Sequence, residues 1–562
     1  MTGTSGIRCL RNILNLMVVV LLFSNVFSCS GKDVGSFPWK SVQGGRLSFS
    51  QSVSFPKGSE NKFSAARPEN LYSLKTPLSV DPGYMLAVGM DLRVENLAVT
   101  LSLGQDAKKA GRETRFAVQP GHATFFLRAP DSRIVKTLKI SVKSHFGQLD
   151  AKDETTIAEV ESVAILPAFL GYEKLKDGNC RISEGLVIEN QGSGSSLWSI
   201  LSPFSDMLKS EGEKNFLPAL TLKYAAASDA DIVVRAGGKI IVKTASAKKE
   251  TLLPASIFPD AAHAESLSIT IPDTVSLESA YIESLPTEEA LRVDPGIALL
   301  QPAIPENKDL AYYRWDLIPN VVIFDFRTYS LQDSYLKRLA FFVEKRGFTG
   351  TLAKDGEIAS LHGWNAHDYN TDDLAKFYSA AKKTNFPLNA KEIWLKDFLV
   401  VNRLIVSQGQ EYKGLGGAII SISQESPSYL RHTFLTHESA HAIFFADERY
   451  RQYCVSLWES MSKKEQWFWV LYFGWMNYDI SSAYLMANEM QAYLIQQPVR
   501  SAEEYFSKTL VDRLLEKHPE LKAPLQEYID EFGLEFARKA SLLDGWLRAA
   551  YGFGAGRTFF VR

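Results

Sequence analysis

The hydrophobic pattern changes period near residue 300, and this change restricts the chain to an architecture of two unlike parts. Before it, apolar and polar residues alternate in short runs broken by Gly, Pro and Asp. Tyr84 to Leu103 reads YMLAVGMDLRVENLAVTLSL, Thr137 to Val142 reads TLKISV, and Ser266 to Ile271 reads SLSITI; Leu220 to Lys223 and Asp231 to Lys243 continue the pattern. A period of two sends successive side chains to opposite faces of a strand, so these runs predict short strands at sandwich spacing. After it, Ser334 to Arg346 (SYLKRLAFFVEKR), Asp372 to Lys383 and Ala390 to Leu404 space their apolar residues for one face of a helix. Val321 to Phe326 (VVIFDF) is a strand-like run among them. A chain of 562 residues exceeds a single core, and two to four domains are expected.

A weak internal repeat subdivides the first part. TLKISV is followed by VESVAILP at Val160 to Pro167, and SLSITI by LESAYIESLP at Leu277 to Pro286. In both, a two-faced strand precedes a second strand that closes on Pro. The expected fold is therefore two consecutive all-β sandwiches, residues 45–168 and 169–300, followed by a mainly α (α+β) domain over 301–562. The sandwiches resemble the jelly-roll modules that extracellular hydrolases use to hold carbohydrate or protein. That resemblance implies a binding module, with a plain spacer as the alternative.

The N-terminus predicts export. Arg8 and Arg11 precede an apolar run, Ile13 to Phe27, that ends at Ser28-Cys29-Ser30-Gly31. This is the order of a signal peptide, here residues 1–28, and Val26-Phe27-Ser28-Cys29 resembles a bacterial lipobox, although Phe27 replaces the usual small residue. Cys29 is then the lipidated residue, residues 29–44 a polar tether, and the bacterial cell envelope the location, with the protein held to a membrane by its lipid. Of four cysteines, Cys9 leaves with the signal, and nothing indicates a bridge between Cys180 and Cys454. No base flanks Cys454, which reads as a buried helix thiol. A net charge of −2 supplies no basic field, so nucleic acid is not expected as a partner.

Residues 437 to 441 read HESAH. Two His four apart share one face of a helix, one turn above the other, and can bind one Zn²⁺; Glu438 between them has the chemistry to take a proton from a water. Tyr429 to Phe445 contains no Gly or Pro, and Gly417 to Ser423 upstream reads as a strand. A strand followed by such a helix is the layout of a zinc peptidase, whose strand edge pairs with extended substrate. A third ligand is needed. Asp447 lies six residues past His441, but no Gly turns the chain back towards the metal. Glu489 lies in a second helical run, Ala483 to Gln497 (AYLMANEMQAYLIQQ), stopped by Pro498.

HESAH with NEMQAY, within residues 305–562, resembles the two motifs of the gluzincin zinc metallopeptidases. The resemblance implies a zincin-like domain that hydrolyses peptide bonds in protein or glycoprotein. It implies His437, His441 and Glu489 as metal ligands, Zn²⁺ as cofactor and Glu438 as general base. The chain departs from some gluzincins at Tyr493, where they carry an Asp that orients a ligand His. Asn488, His432 and Asp447 are candidates for that duty. Tyr478, or Tyr484, is the candidate to stabilise the oxyanion. An inactive peptidase-like lipoprotein that binds carbohydrate or protein is the alternative reading. Trp458 to Tyr478, unusually aromatic, reads as packing beneath the HExxH helix, with a cleft wall or membrane contact as alternatives. Gly363 to Tyr369 (GWNAHDY) reads as a loop, and His362 and His367, five apart, do not share a helical face.

Overall fold

The computed structural model describes residues 51–562 apart from 53–58, 82, 96, 106–110, 112, 119, 131, 145–151, 191–193, 202–215, 259–265, 287–289 and 362. The expected signal peptide and tether, with Cys9 and Cys29, and His362 lie outside the described residues. The protein is multidomain, with a β-rich N-terminal unit, Met1–Thr287, and a C-terminal unit, Glu288–Arg562, dominated by helices.

The first unit is built on one ten-stranded sheet. In order it runs Gln51–Ser52, Ala158–Pro167, Tyr84–Leu92, Gly121–Leu127, Cys180–Ser183, Leu170–Lys174, Val275–Pro286, Phe216–Ala226 and Glu250–Pro254, with Lys62–Phe63 also on Ala158–Pro167. A four-stranded sheet (Glu69–Ser79, Ile134–Ser144, Leu97–Gly104, Glu113–Val118) meets its first half, where Phe116 and Phe125 lie 4.9 Å apart. A five-stranded sheet (Leu186–Asn190, Ser195–Leu201, Ser266–Pro272, Asp231–Ala236, Lys239–Ala245) meets its second half, where Tyr172 and Trp198 lie 5.6 Å apart. Asp231–Ala236 and Ser266–Pro272 bury every second residue, as alternation demands.

The internal repeat has a structural meaning. In each half its first strand (Ile134–Ser144, Ser266–Pro272) belongs to a small sheet, and its second (Ala158–Pro167, Val275–Pro286) returns to the large one. The boundary expected near residue 168 lies within the ten-stranded sheet. The two halves of that sheet are joined by its parallel pair, Gly121–Leu127 with Cys180–Ser183. Beside this join the backbones crowd. Gly171, at φ +132°, faces the Ala280 carbonyl, and a Cβ there would come within 2.0 Å of that oxygen.

The second unit centres on a five-stranded mixed sheet in the order Leu291–Val293, Leu310–Trp315, Val321–Phe326, Ala418–Ser423, His367–Asn370. Val321–Phe326 and Ala418–Ser423 pair in parallel and are buried on both faces, which explains their continuous apolar sequences. Phe324 and Phe326 point to one face, into a core with Tyr335, Phe377 and Phe398 from the helices Tyr329–Val343, Thr371–Thr384 and Ala390–Val401. These helices start where side-chain caps stand: Thr328, Asn370, and Asn389 in a capping box with Glu392. The other face carries Asp325, which receives Arg431 of the HExxH helix, Ser428–Ala446, at 2.8 Å. That helix therefore covers the face opposite the aromatic core.

One local expectation is corrected. Residues 367–370 are not loop but the edge strand, antiparallel to Ala418–Ser423. Four residues reading HDYN carry no apolar run, so only pairing with a distant strand makes them β. The aromatic stretch supplies Phe468, Trp469, Tyr472 and Phe473, all buried on the helix Lys463–Trp475. Tyr472 and Phe473 pack on Tyr493 of the helix Ala483–Ile495, at 5.4 and 5.5 Å. Among the described residues, no helix is long and apolar enough to cross a membrane.

Candidate metal centre

Helical geometry sorts the HESAH side chains. Glu438 follows Arg431 by seven residues, nearly two turns, so it shares Arg431's face and looks at the sheet. His437 and His441 fall on the adjoining stripe, which faces the helix Ala483–Ile495. Ser482 caps that helix by accepting from the Leu485 amide, and Tyr450 donates to Gln491 at 2.9 Å to tie it to the neighbouring helix Glu448–Glu459. Glu489 thus arrives from a separate, braced element.

The three expected ligands converge. His437 Nε2 lies 3.1 Å from His441 Nε2, and Glu489 Oε2 lies 4.0 Å from the first and 3.8 Å from the second. Ligands about 2.1 Å from a tetrahedral ion stand roughly 3.4 Å from one another, and these spacings bracket that value. All three side chains are largely buried, His441 at 1 % exposure and Glu489 at 4 %. Among the described residues, Glu489 Oε2, Glu438 Oε2 and the Nδ1 atoms of both His have no hydrogen-bond partner. Buried polar atoms without partners are costly, and a dication among two imidazoles and a carboxylate would satisfy the converging set. The residues fit Zn²⁺.

The electrostatics agree. Burial holds His441 down to about 4, and burial with its neighbour His441 holds His437 well below its ordinary range. Both rings are neutral, the form that ligates metal. Burial, then Asp368 and Glu344, pushes Glu489 well above the usual carboxylate range; burial, then Asp368 and Glu489, does the same to Glu438. Asp368 and Glu344 are each raised to about 8, chiefly by burial. Four carboxyl groups therefore act on one another, and Lys345 lowers Glu344 against burial.

The remaining expected residues fall as follows. Asp447 ends the HExxH helix and caps the next, accepting from the Arg449 amide at 2.9 Å and from the Tyr551 hydroxyl at 3.0 Å. It is not in the ligand group. Tyr478 is half-buried beside the centre. Its hydroxyl neighbours Glu489 and lowers that carboxyl's pKa, against burial, and its ring stacks on Trp364 with centroids 5.9 Å apart. Tyr484 is 46 % exposed and packs on Phe444. Asn488 lies against His441 and accepts from Gln491 at 3.3 Å. His432 packs on Phe559 instead. Cys454 is fully buried, and burial pushes its thiol up, as an inert core thiol requires.

Sequence reasoning missed Asp368. It pairs opposite Ile420, while His367 and Tyr369 pair opposite Ser421 and Ile419. Alternation along the strand therefore turns Asp368 to the face that carries Asp325 and the HExxH helix. Its ligand atom joins those of Glu438 and His441 within 4.8 Å. The one sequence signal available was a polar residue between two half-apolar neighbours, which is too common to single out.

No family model matches the chain, and no curated protein matches it. Solved structures give remote likenesses. The glycoside hydrolase domain of Endo-D from Streptococcus pneumoniae R6 aligns over 42 % of this chain and 33 % of its own, at 9 % identity and a TM-score of 0.14. The M60 catalytic domain with its CBM51 domains from Clostridium perfringens ZmpB aligns over 38 % of this chain and 33 % of its own, at 7 % identity and a TM-score of 0.11. The cucumber necrosis virus structure aligns over 48 % of this chain and 95 % of its own, at 13 % identity and a TM-score of 0.14. The chain thus spans about a third of the first two. At such TM-scores none of the three bears on the site.

Proposed function

We propose that the second unit is a zinc-dependent peptidase of gluzincin type, acting on protein or glycoprotein. The observation that carries this reading is the convergence of His437, His441 and Glu489, with the buried carboxylate of Glu438 beside them and not among them. A purely structural metal site needs no such base. When bound, zinc supplies Lewis acidity towards water and carbonyl, and positive charge that offsets the four carboxyl groups. His437, His441 and Glu489 would hold it, with Tyr478 beside Glu489. Glu438 accepts the proton of the attacking water on its free oxygen and delivers it to the amine that leaves. The edge strand His367–Asn370 borders the same side of the sheet and offers backbone groups to an extended substrate.

The same proposal puts the protein in the bacterial cell envelope, held by lipid on Cys29. The first unit then serves as a spacer or as a module that engages protein or carbohydrate. Support for the anchor comes from the order of charge, apolar run and Cys at the N-terminus. The functional test is metal analysis of the purified protein with a proteome-wide cleavage assay of wild type and Glu438→Gln. About one zinc per chain in both, with new N-termini produced by wild type alone, is the expected result. Loss of zinc in Glu438→Gln would make the Glu a ligand and defeat the mechanism. Palmitate labelling that persists in Cys29→Ala would defeat the anchor.

A further inference from the structure

The far side of His441 carries an assignment of its own. A neutral imidazole has one lone pair and one N–H. With Nε2 of His441 turned to His437 and Glu489, the lone pair belongs there and Nδ1 bears the hydrogen. Nδ1 is buried and has no hydrogen-bond partner among the described residues. The carboxylate oxygen facing it is Asp368 Oδ2, at 3.8 Å. Resting on the zinc reading above, we propose that Asp368 is the positioning residue of the centre. It accepts the Nδ1 hydrogen of His441, fixes the ring's tautomer and plane, and holds the Glu438 carboxyl in place from the same strand.

The fold supports the assignment in three ways. Asp368 sits in a paired strand, opposite Ile420, so its backbone is fixed by the sheet. Two residues on, Asn370 caps the helix Thr371–Thr384 and fixes the strand's end. Strand alternation leaves the Asp368 side chain no other face. Closing 3.8 Å to a hydrogen bond takes about 1 Å, within reach of a side-chain rotation. An imidazole bound to such an acceptor is a better ligand. A second cation held by Asp368, Glu438 and His441 is the competing use of the same atoms. It would require a second lone pair on His441, hence loss of the ring's last hydrogen. Asn488, the other polar neighbour of His441, already shares its oxygen with Gln491.

The experiment is a zinc titration against a competing chelator on the whole protein, with stoichiometry and the unfolding temperature of the metal-free form measured alongside. Asp368→Asn is expected to weaken zinc binding by roughly 10- to 100-fold at unchanged stoichiometry. The metal-free protein should not unfold earlier, because Asn keeps the volume and hydrogen-bonding capacity of the protonated carboxyl; a merely structural Asp368 would lower that temperature. Asp368→Glu should recover part of the affinity, whereas Asn488→Ala should leave most of it. Unchanged affinity in Asp368→Asn, a larger loss in Asn488→Ala, or two zinc ions per chain falling to one in Asp368→Asn would each overturn the assignment. A wild type that binds no zinc would instead overturn the functional reading itself.

Discussion

The two units bury polar groups in opposite ways. In the first, the unpartnered buried atoms among the described residues are hydroxyl oxygens and one guanidinium nitrogen, and the buried Glu173 pairs with Arg181. In the second, alongside amide, indole, hydroxyl and guanidinium atoms, they include a group of carboxylates and imidazoles at one site: His437, Glu438, His441 and Glu489. Desolvated titratable groups cost stability unless something external compensates them, so their clustering marks where chemistry is done. The first unit buries no such cluster among its described residues; the second does.

The sharpest way to break this contrast is at Glu438. Glu438→Gln should keep zinc and lower turnover by on the order of 10³-fold, read as cleavage rate and metal content on the same samples. Next comes the choice of third ligand. Glu489→Ala should weaken zinc binding severely, while Asp447→Asn, which can still cap its helix, should cost little stability and leave metal content near normal. The reverse ranking in a metal titration would move the third ligand to Asp447. In the first unit, Trp198→Ala removes a side chain only 1 % exposed and should destabilise by about 3–5 kcal/mol in denaturant unfolding, with zinc affinity unchanged.

Calorimetry of the whole protein compares the units directly. Saturating zinc at about 100 times its dissociation constant should stabilise the second unit by roughly 2.7 kcal/mol and leave the transition of the first in place. Movement of both transitions together would mean the units unfold as one. The smallest effect is expected at Ile240, 53 % exposed on a strand of the first unit. Ile240→Thr should change stability by no more than about 0.5 kcal/mol, measured by the same unfolding curves.

Elements with a strong local period were legible in the chain. The helix expected over Asp372 to Lys383 spans Thr371–Thr384, and the run AYLMANEMQAYLI forms Ala483–Ile495. TLKISV and SLSITI lie in the strands Ile134–Ser144 and Ser266–Pro272. The spacing of His437 and His441 on one helical face was also local information. Long-range pairings were not legible. The parallel join of Gly121–Leu127 to Cys180–Ser183 leaves no mark in either strand, because a ladder bonds backbone groups that every residue owns.

The sequence by itself determined the two periodicities, and with them a β-rich part followed by a helical part, and the pair of imidazoles with a carboxylate between them. These depend on angles along one element, 100° per residue in a helix and 180° in a strand, which residue order encodes directly. Tertiary structure decided the rest. It brought Glu489 from 48 positions beyond His441 to 3.8 Å, and spent Asp447 on a helix cap. It also turned Asp368 towards His441 through a four-residue strand with no apolar signature. Those outcomes depend on which faces of distant elements bury one another, a property of the packed chain that no local stretch contains.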